Sequence, residues 1–243
     1  MVGIGPGGPL DRTFRAQAAI QASEVIAGYK RYVKAVADLI SDKKVITTGM
    51  TKEVDRCQQA IKAACEGKVV ALISSGDAGI YGMAGLALEM IHAEQHDIEI
   101  EIIPGVTAAS ATAASLGAPL MLDFAIISLS DLLVKWEIIR NRLQAVAKAD
   151  LVVALYNPRS RKRIKQLDET VEIFLEHRPP ETPVGIGTDV GSEEEHLIIT
   201  TLGELLQHDI GMRSLVIIGN SESQVLGKWL INPRGYQLPT SIS

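Results

Sequence analysis

ALISSGDAGIYGMAG, residues 71–85, decides how this chain is read. Its first half is an apolar run of the kind that forms a buried strand, and it stops at Ser74 and Ser75. Gly76, Gly79, Gly82 and Gly85 then follow around a lone acid, Asp77, where the strand hands over to a helix. In open α/β sheets, ligands sit outside the carboxyl ends of strands, where such loops leave backbone amides free. Glycine accepts positive φ and lets a ligand approach the main chain. Two more loops have the same build: GIGPGG at residues 3–8 and PGVTAAS at 104–110. One glycine-rich turn is usually only a tight turn. Three, each following a strand in one half of the chain, point to a ligand site.

Outward from that stretch, apolar runs of strand length fall at residues 2–5, 25–28, 45–48, 69–74 and 98–103. Others fall at 124–129, 151–155, 184–187, 196–200 and 214–218. Between many of them lie helical stripes: Val54, Cys57, Ile61 and Ala64; Trp136, Ile139, Leu143 and Val146; Ile164, Leu167, Val171 and Phe174. Alternating strands and helices predict an α/β chain, largely parallel in its first half. The closeness of 196–200 to 214–218 predicts some antiparallel pairing later. SLGAPLMLD, residues 115–123, marks a domain boundary, because a small-residue helix ends at Gly117 and Pro119 and a new strand begins. This divides the chain into 1–118 and 119–243, each of common domain size. The apolar linker predicts two firmly packed α/β domains with a cleft between them.

Composition narrows the function. Hydrophobic residues make up 47% and charged residues 22%, as in ordinary globular chains. A net charge of -5 argues against a general nucleic-acid binder. Cys57 and Cys65 share one helical segment, about 12 Å apart along its axis, too far for a disulfide. With no leader-like N-terminus, the expectation is a reduced, cytoplasmic protein. Residues 102–122 are uncharged, yet Pro104, Gly105, Gly117 and Pro119 interrupt them, and Ser, Thr and Ala dominate, unlike a membrane span. Gly3, Gly5 and Gly8 have dinucleotide spacing, but Pro6 stiffens the turn and no acid ends the 25–28 run. There is no P-loop lysine. The five histidines lie from position 92 onward without ligand spacing, so no protein-bound metal is expected.

GIGPGG, SSGDAGIYGMAG, PGVTAASATAASLGAPL, LYNPRS, TPVGIG and SLVIIGN resemble, in order, the motifs of the tetrapyrrole (corrin) methyltransferases. The likeness covers essentially the whole chain. SLSDLLVKWEII and YNPRSRKR resemble in particular the branch that methylates C17 of a precorrin-3B-type tetrapyrrole with ring contraction, in cobalamin biosynthesis. The resemblance implies two α/β domains, S-adenosylmethionine in the cleft between them, S-adenosylhomocysteine as product, a tetrapyrrole substrate and a homodimer. It implies cofactor contacts at Pro6, at Ser75, Gly76, Asp77, Gly79 and Ile80, at Thr107 and Ala108, and at Tyr156, Asn157 and Val190. Ala78 stands where many relatives have proline. Asp77 and Thr107 could each instead be a helix N-cap.

The remaining candidates face substrate and chemistry. Arg159, Arg161, Lys162, Arg163 and Lys165 crowd the start of a predicted helix, where cations oppose the macrodipole at about 0.3–1 kcal/mol each. An anionic partner would offset that, and Arg159 and Arg161 could take substrate carboxylates in bidentate fashion. Lys162 and Lys165 read as a solvated basic face. Tyr29, Lys30 and Tyr81 are candidates for the substrate wall. Ring contraction needs proton movement, for which Ser128, Ser130 and Asp131 are the candidates, although Ser130 or Asp131 could simply cap the next helix. A same-fold methyltransferase acting on another precorrin or, like diphthine synthase, on a protein is an alternative. So is a nucleotide-binding sensor that holds its ligand without turnover.

Overall fold

The computed structural model describes residues 1–49 and 51–237. The first compact unit comprises Met1–Ala108 and Gly191–Glu193. It contains β1 (Val2–Gly3), α1 (Phe14–Ala22), β2 (Val25–Tyr29), α2 (Lys30–Ala35), β3 (Lys44–Thr48), α3 (Glu53–Cys65), β4 (Val70–Ser74) and α4 (Ala84–Ala93). The strands pair in the order β1-β4-β2-β3, all parallel. Both faces of this sheet are covered, which explains its continuous apolar runs. Ile26, Ala71 and Ile73 pack toward Ile20 of α1 and Val36. Ala27 and Leu72, pointing the other way, pack on Cys57 and Ile61 of α3 and Ala87 and Ile91 of α4. Thr13 fixes the start of α1 by accepting from the amide of Ala16 at 3.1 Å.

Two details correct the sequence reading of this unit. Residues 98–103 form no strand; only Ile103 bridges, in parallel, to Val2. The buried stripe of α3 is rotated from the expected one. Val54 is half exposed, and Arg56, Cys57, Ala60, Ile61 and Ala63 are buried.

The second unit comprises Ala109–Val190 and Glu194–Ser243. Its elements are α5 (Ala108–Leu116), β5 (Gly117–Ala118), β6 (Phe124–Ser128), α6 (Trp136–Lys148), β7 (Val152–Tyr156), α7 (Lys165–Leu175), β8 (Pro183–Thr188), β9 (His196–Thr201) and β10 (Ser214–Ile218). A hairpin, β11 (Gln224–Leu226) and β12 (Trp229–Ile231), follows. Helix α5 therefore falls with the second unit, ahead of the 118/119 position read from Gly117 and Pro119. Leu116 and Thr112 lie where side chains at Gly185 and Gly187 of β8 would otherwise be, which seats the helix on that strand.

The main sheet runs β6-β7-β10-β8-β9. Strands β6 and β7 are parallel, whereas β10 is antiparallel to both β7 and β8. Strands β9 and β10 do not pair with each other as their proximity in sequence suggested. Each lies antiparallel to β8, on opposite sides of it. Leu143 of α6 and Leu167 and Phe174 of α7 pack with Val153, Leu155, Val216 and Ile218 to form the core. Among the described residues, no helix is long and apolar enough to cross a membrane. Nor do they contain a cluster of His, Cys, Asp or Glu that could hold a metal ion. Both cysteines are free, Cys57 buried and Cys65 exposed.

Candidate active site

In the first unit the three glycine-rich loops meet main chain to main chain. A side chain at Gly3 would put its Cβ 2.7 Å from both the Gly105 nitrogen and the Gly76 oxygen, closer than real contacts allow. The amides of Gly5 and Gly76 exchange hydrogen bonds at 3.2 and 2.8 Å. Asp77 completes the stitch. Its Oδ1 accepts from the Gly79 amide at 2.8 Å and its Oδ2 from the Gly105 amide at 3.0 Å. It is not a helix cap, because α4 starts seven residues later behind Met83, with no side-chain cap. Asp77 therefore joins the second loop to the third, a positioning task that neither sequence alternative described.

Gly76 has φ +64, a left-handed conformation that side chains resist. Yet a Cβ there would meet nothing nearer than Thr107 Cα and the Ala108 nitrogen, both at 3.7 Å. Residue 76 is itself buried, so a Cβ there would sit in ordinary van der Waals contact with residues 106–108, with Ser75, Ile80, Thr107 and Ala108 half-buried around it and Gly79 exposed. Pro6 lies half-buried in the first loop. Its neighbour Gly8 donates to the Gly191 carbonyl at 2.5 Å, which holds residues 191–193 against that loop.

Two of the three candidates for a substrate wall come together. Tyr29 and Tyr81 line a cavity of about 160 Å³ with Tyr32, Ser75, Arg56 and Met83. Lys30, exposed at the start of α2, is not among its lining residues. Arg56, which the sequence reading passed over, is 2% exposed. A larger hollow of about 540 Å³ is lined by Met1, Ala22, Val69 and Ile98. It contains none of the candidate site residues and no glycine-rich loop, so it is not the candidate site.

In the second unit the candidates gather on the loops after β6 and β7. The Tyr156 hydroxyl accepts from the Ala109 amide at 2.9 Å, fastening the end of β7 to the first turn of α5. Asn157 takes φ +51, which asparagine tolerates better than most residues, and donates to Ser128 Oγ at 3.0 Å. Ser128 Oγ also accepts from the Ser130 amide at 3.2 Å. Asp131 is exposed and accepts from Gln166 Nε2 at 2.7 Å. Helix α6 begins only at Trp136, with Lys135 at its cap, so neither Ser130 nor Asp131 caps it. Val190 is buried, packed where a side chain at Gly187 would stand.

The basic cluster divides by role. Helix α7 begins at Lys165, so Arg159, Arg161 and Arg163 lie in the loop ahead of it, outside its first turn. The macrodipole argument therefore applies to Lys165 and not to the arginines. Arg159 pairs with Asp168 in the first turn of α7. Arg161 and Lys162 are exposed and form no ion pair among the described residues. Arg163 is buried. Its Nη1 donates to the Leu129 carbonyl at 2.9 Å and the Asn157 carbonyl at 2.6 Å, binding the two loops together. Burial lowers its pKa from the usual arginine value, against the opposing pull of Asp131. Nothing in the sequence separated this tie from its solvated neighbours.

Known proteins resemble the chain in sequence and in architecture. The profile of the tetrapyrrole (corrin/porphyrin) methylases matches residues 1–206. A probable cobalt-factor III C(17)-methyltransferase of Salmonella typhimurium is 48% identical over 98% of this chain and 99% of its own length. A cobalt-factor III methyltransferase of Priestia megaterium is 46% identical over 98% of this chain. The match spans 45% of that protein, so this chain covers about half its length. A precorrin-3B C(17)-methyltransferase of a Sinorhizobium species is 38% identical over 93% of this chain and 90% of its own. Among solved structures, the methyltransferase CobJ superposes with a TM-score of 0.87 at 34% identity, covering 96% of this chain and 98% of CobJ. Glycine loops drawn together over a parallel sheet, a family profile over residues 1–206 and a relative matched from end to end lead to one assignment: the chain belongs to the tetrapyrrole (corrin/porphyrin) methylases.

Proposed function

We propose that this protein transfers a methyl group from S-adenosylmethionine to C17 of a tetrapyrrole of the cobalt-factor III or precorrin-3B type, with contraction of the macrocycle, in cobalamin biosynthesis. The observation that carries the reading is the full-length likeness to the Salmonella C(17)-methyltransferase, joined to a glycine cradle stitched by Asp77. The first unit suits a sulfonium cofactor. Gly76 is surrounded by main chain and small residues, and the Asp77 carboxylate already accepts two amides.

Pro6, residues 75–80, Thr107 and Ala108 would hold the cofactor, as would Tyr156, Asn157 and Val190. When bound, the cofactor supplies an electrophilic methyl group and leaves as S-adenosylhomocysteine. Rate then depends on holding the acceptor carbon in line with that methyl, so rigid loops matter more than reactive side chains. Arg161 would meet a substrate carboxylate. Asp131 would move the proton that contraction requires, with the Ser128 and Ser130 hydroxyls beside it. A homodimer fits the large apolar side chains left outside, Leu10 at 98% and Phe14 at 93% exposed.

Calorimetry with S-adenosylmethionine, S-adenosylhomocysteine, NAD and ATP tests the cofactor. The two adenosyl ligands should bind and the other two should not. Incubation with cobalt-containing and metal-free substrates, followed by absorbance and mass, tests turnover. Cofactor binding without methylation of either substrate would favour the sensor reading instead.

A further inference from the structure

Arg56 carries a buried charge that forms no ion pair among the described residues. Its guanidinium is 2% exposed, donates from Nη1 to Met83 Sδ at 3.1 Å and from Nη2 to the Gly49 carbonyl at 3.0 Å, and has an unpartnered Nε. Sulfur is a weak acceptor and a carbonyl a neutral one. Among the described residues no carboxylate lies within 4.0 Å of it. The other three arginines buried to a similar degree, Arg12, Arg163 and Arg178, each have an acid within that distance. A buried cation without an anion costs several kcal/mol, so a fold keeps one only where it gains something in return.

Arg56 also borders the 160 Å³ cavity rather than solid core. Tyr29 and Tyr32, packed edge to face at 5.4 Å, form part of its wall, with Arg56 6.0 Å from the Tyr29 ring. The wall continues through Ser75 and Tyr81, which belong to the loop carrying the cofactor candidates. The hydroxyls of Tyr29, Tyr32 and Ser75 can all donate. Exposed Glu53 also lines the cavity, without pairing with Arg56. Sites for whole drug-sized ligands run to about 300–1,000 Å³, so this one suits a single side arm and not a macrocycle.

We propose that Arg56, with Tyr29 and Tyr32, is the receptor for one carboxylate side arm of the tetrapyrrole, and so fixes which edge of the substrate meets the cofactor loop. The inference rests on the functional reading above and names a recognition residue within it. Arginine suits the task because its planar fork binds a carboxylate through two donors at once.

The test compares wild type with Arg56→Met, Arg56→Lys and Tyr32→Phe. Each is titrated with S-adenosylhomocysteine, with cobalt-factor III, and with cobalt-factor III whose carboxylates are methyl esters. Arg56→Met should bind cobalt-factor III about 10- to 100-fold more weakly, the scale of a charged hydrogen bond. Its S-adenosylhomocysteine affinity should stay within about twofold of wild type, and its unfolding midpoint should be no lower, because an unpaired buried charge has gone. Esterification should weaken wild type more than Arg56→Met, and Arg56→Lys should recover part of the loss. Wild-type tetrapyrrole affinity in a folded Arg56→Met overturns this inference alone, most clearly if the midpoint falls, since that marks a structural arginine. Wild type that binds S-adenosylhomocysteine but no tetrapyrrole overturns the functional reading together with it. If Arg56→Met does not fold, Tyr32→Phe decides. A loss of about threefold or more supports the receptor, and an unchanged affinity rejects it.

Discussion

Residue 76 shows what one absent methyl group does. Its φ of +64 favours glycine, and a Cβ there would touch Thr107 and Ala108 at van der Waals distance without clashing. Gly76→Ala should fold, at a cost of about 1–2 kcal/mol for the left-handed backbone. It should bind S-adenosylmethionine about tenfold more weakly, ~1.4 kcal/mol, because the new methyl occupies the cradle. Calorimetry beside thermal melts separates the two effects, and unchanged affinity in a folded variant would remove Gly76 from the site. Asp77 next door is tested differently. Asp77→Asn keeps the shape but turns an amide group toward the donor of Gly79 or Gly105, so stability should fall by about 1–3 kcal/mol in a denaturant titration. The sequence announced these glycines, because three loops of one composition follow three apolar runs. It did not announce the stitch, since the bond from Asp77 to Gly105 joins residues 28 apart.

At the scale of elements, local period was readable for α6 and most of α7 but not for α3, and strand pairing was not readable. Of the expected stripes, Ile139 and Leu143 of α6 are buried with Trp136 and Val146 partly so, and Leu167, Val171 and Phe174 of α7 are buried, whereas Ile164 stays half exposed ahead of that helix. Strand neighbours depend on contacts across the sheet, so β9 and β10 look like partners in sequence yet flank β8. The hairpin of β11 and β12 went unread because its strands are three residues each, joined through Gly227 at φ +62. Arg161 and Arg163 make the same point two positions apart. Arg163→Ala should destabilise the fold by about 3 kcal/mol, as two loop carbonyls lose their donor. Arg161→Ala should leave the melt unchanged and weaken tetrapyrrole binding by ~1.5–3 kcal/mol, with Arg161→Lys recovering part. An Arg161→Ala that binds the tetrapyrrole like wild type at low salt would mark that side chain as solvated surface.

For the molecule as a whole, the packing between sheet and α3 gives a pH signature. Burial pushes the Cys57 thiol from 9.0 up to about 11. Between those values the folded chain keeps a proton that the unfolded chain releases, so folding stability should be level below pH 9 and fall as pH rises toward 11. The loss should reach about 2–3 kcal/mol, and Cys57→Ala should abolish that part of the slope. At pH 8 a thiol reagent should label Cys65 quickly and Cys57 only on unfolding. Fold class and loop set were both legible in sequence, because hydrophobic period and glycine placement are local properties. The charge on Arg56 was not, because its burial is set by the α3 face turned toward Met83 and the cavity. The central claim is the carbon that receives the methyl group. Carbon-13 methyl-labelled S-adenosylmethionine incubated with the protein and cobalt-factor III, and read by NMR of the isolated product, addresses it directly. The account predicts one new labelled methyl on C17 of a contracted macrocycle. A label on any other carbon, or none transferred while S-adenosylmethionine is bound, would contradict it.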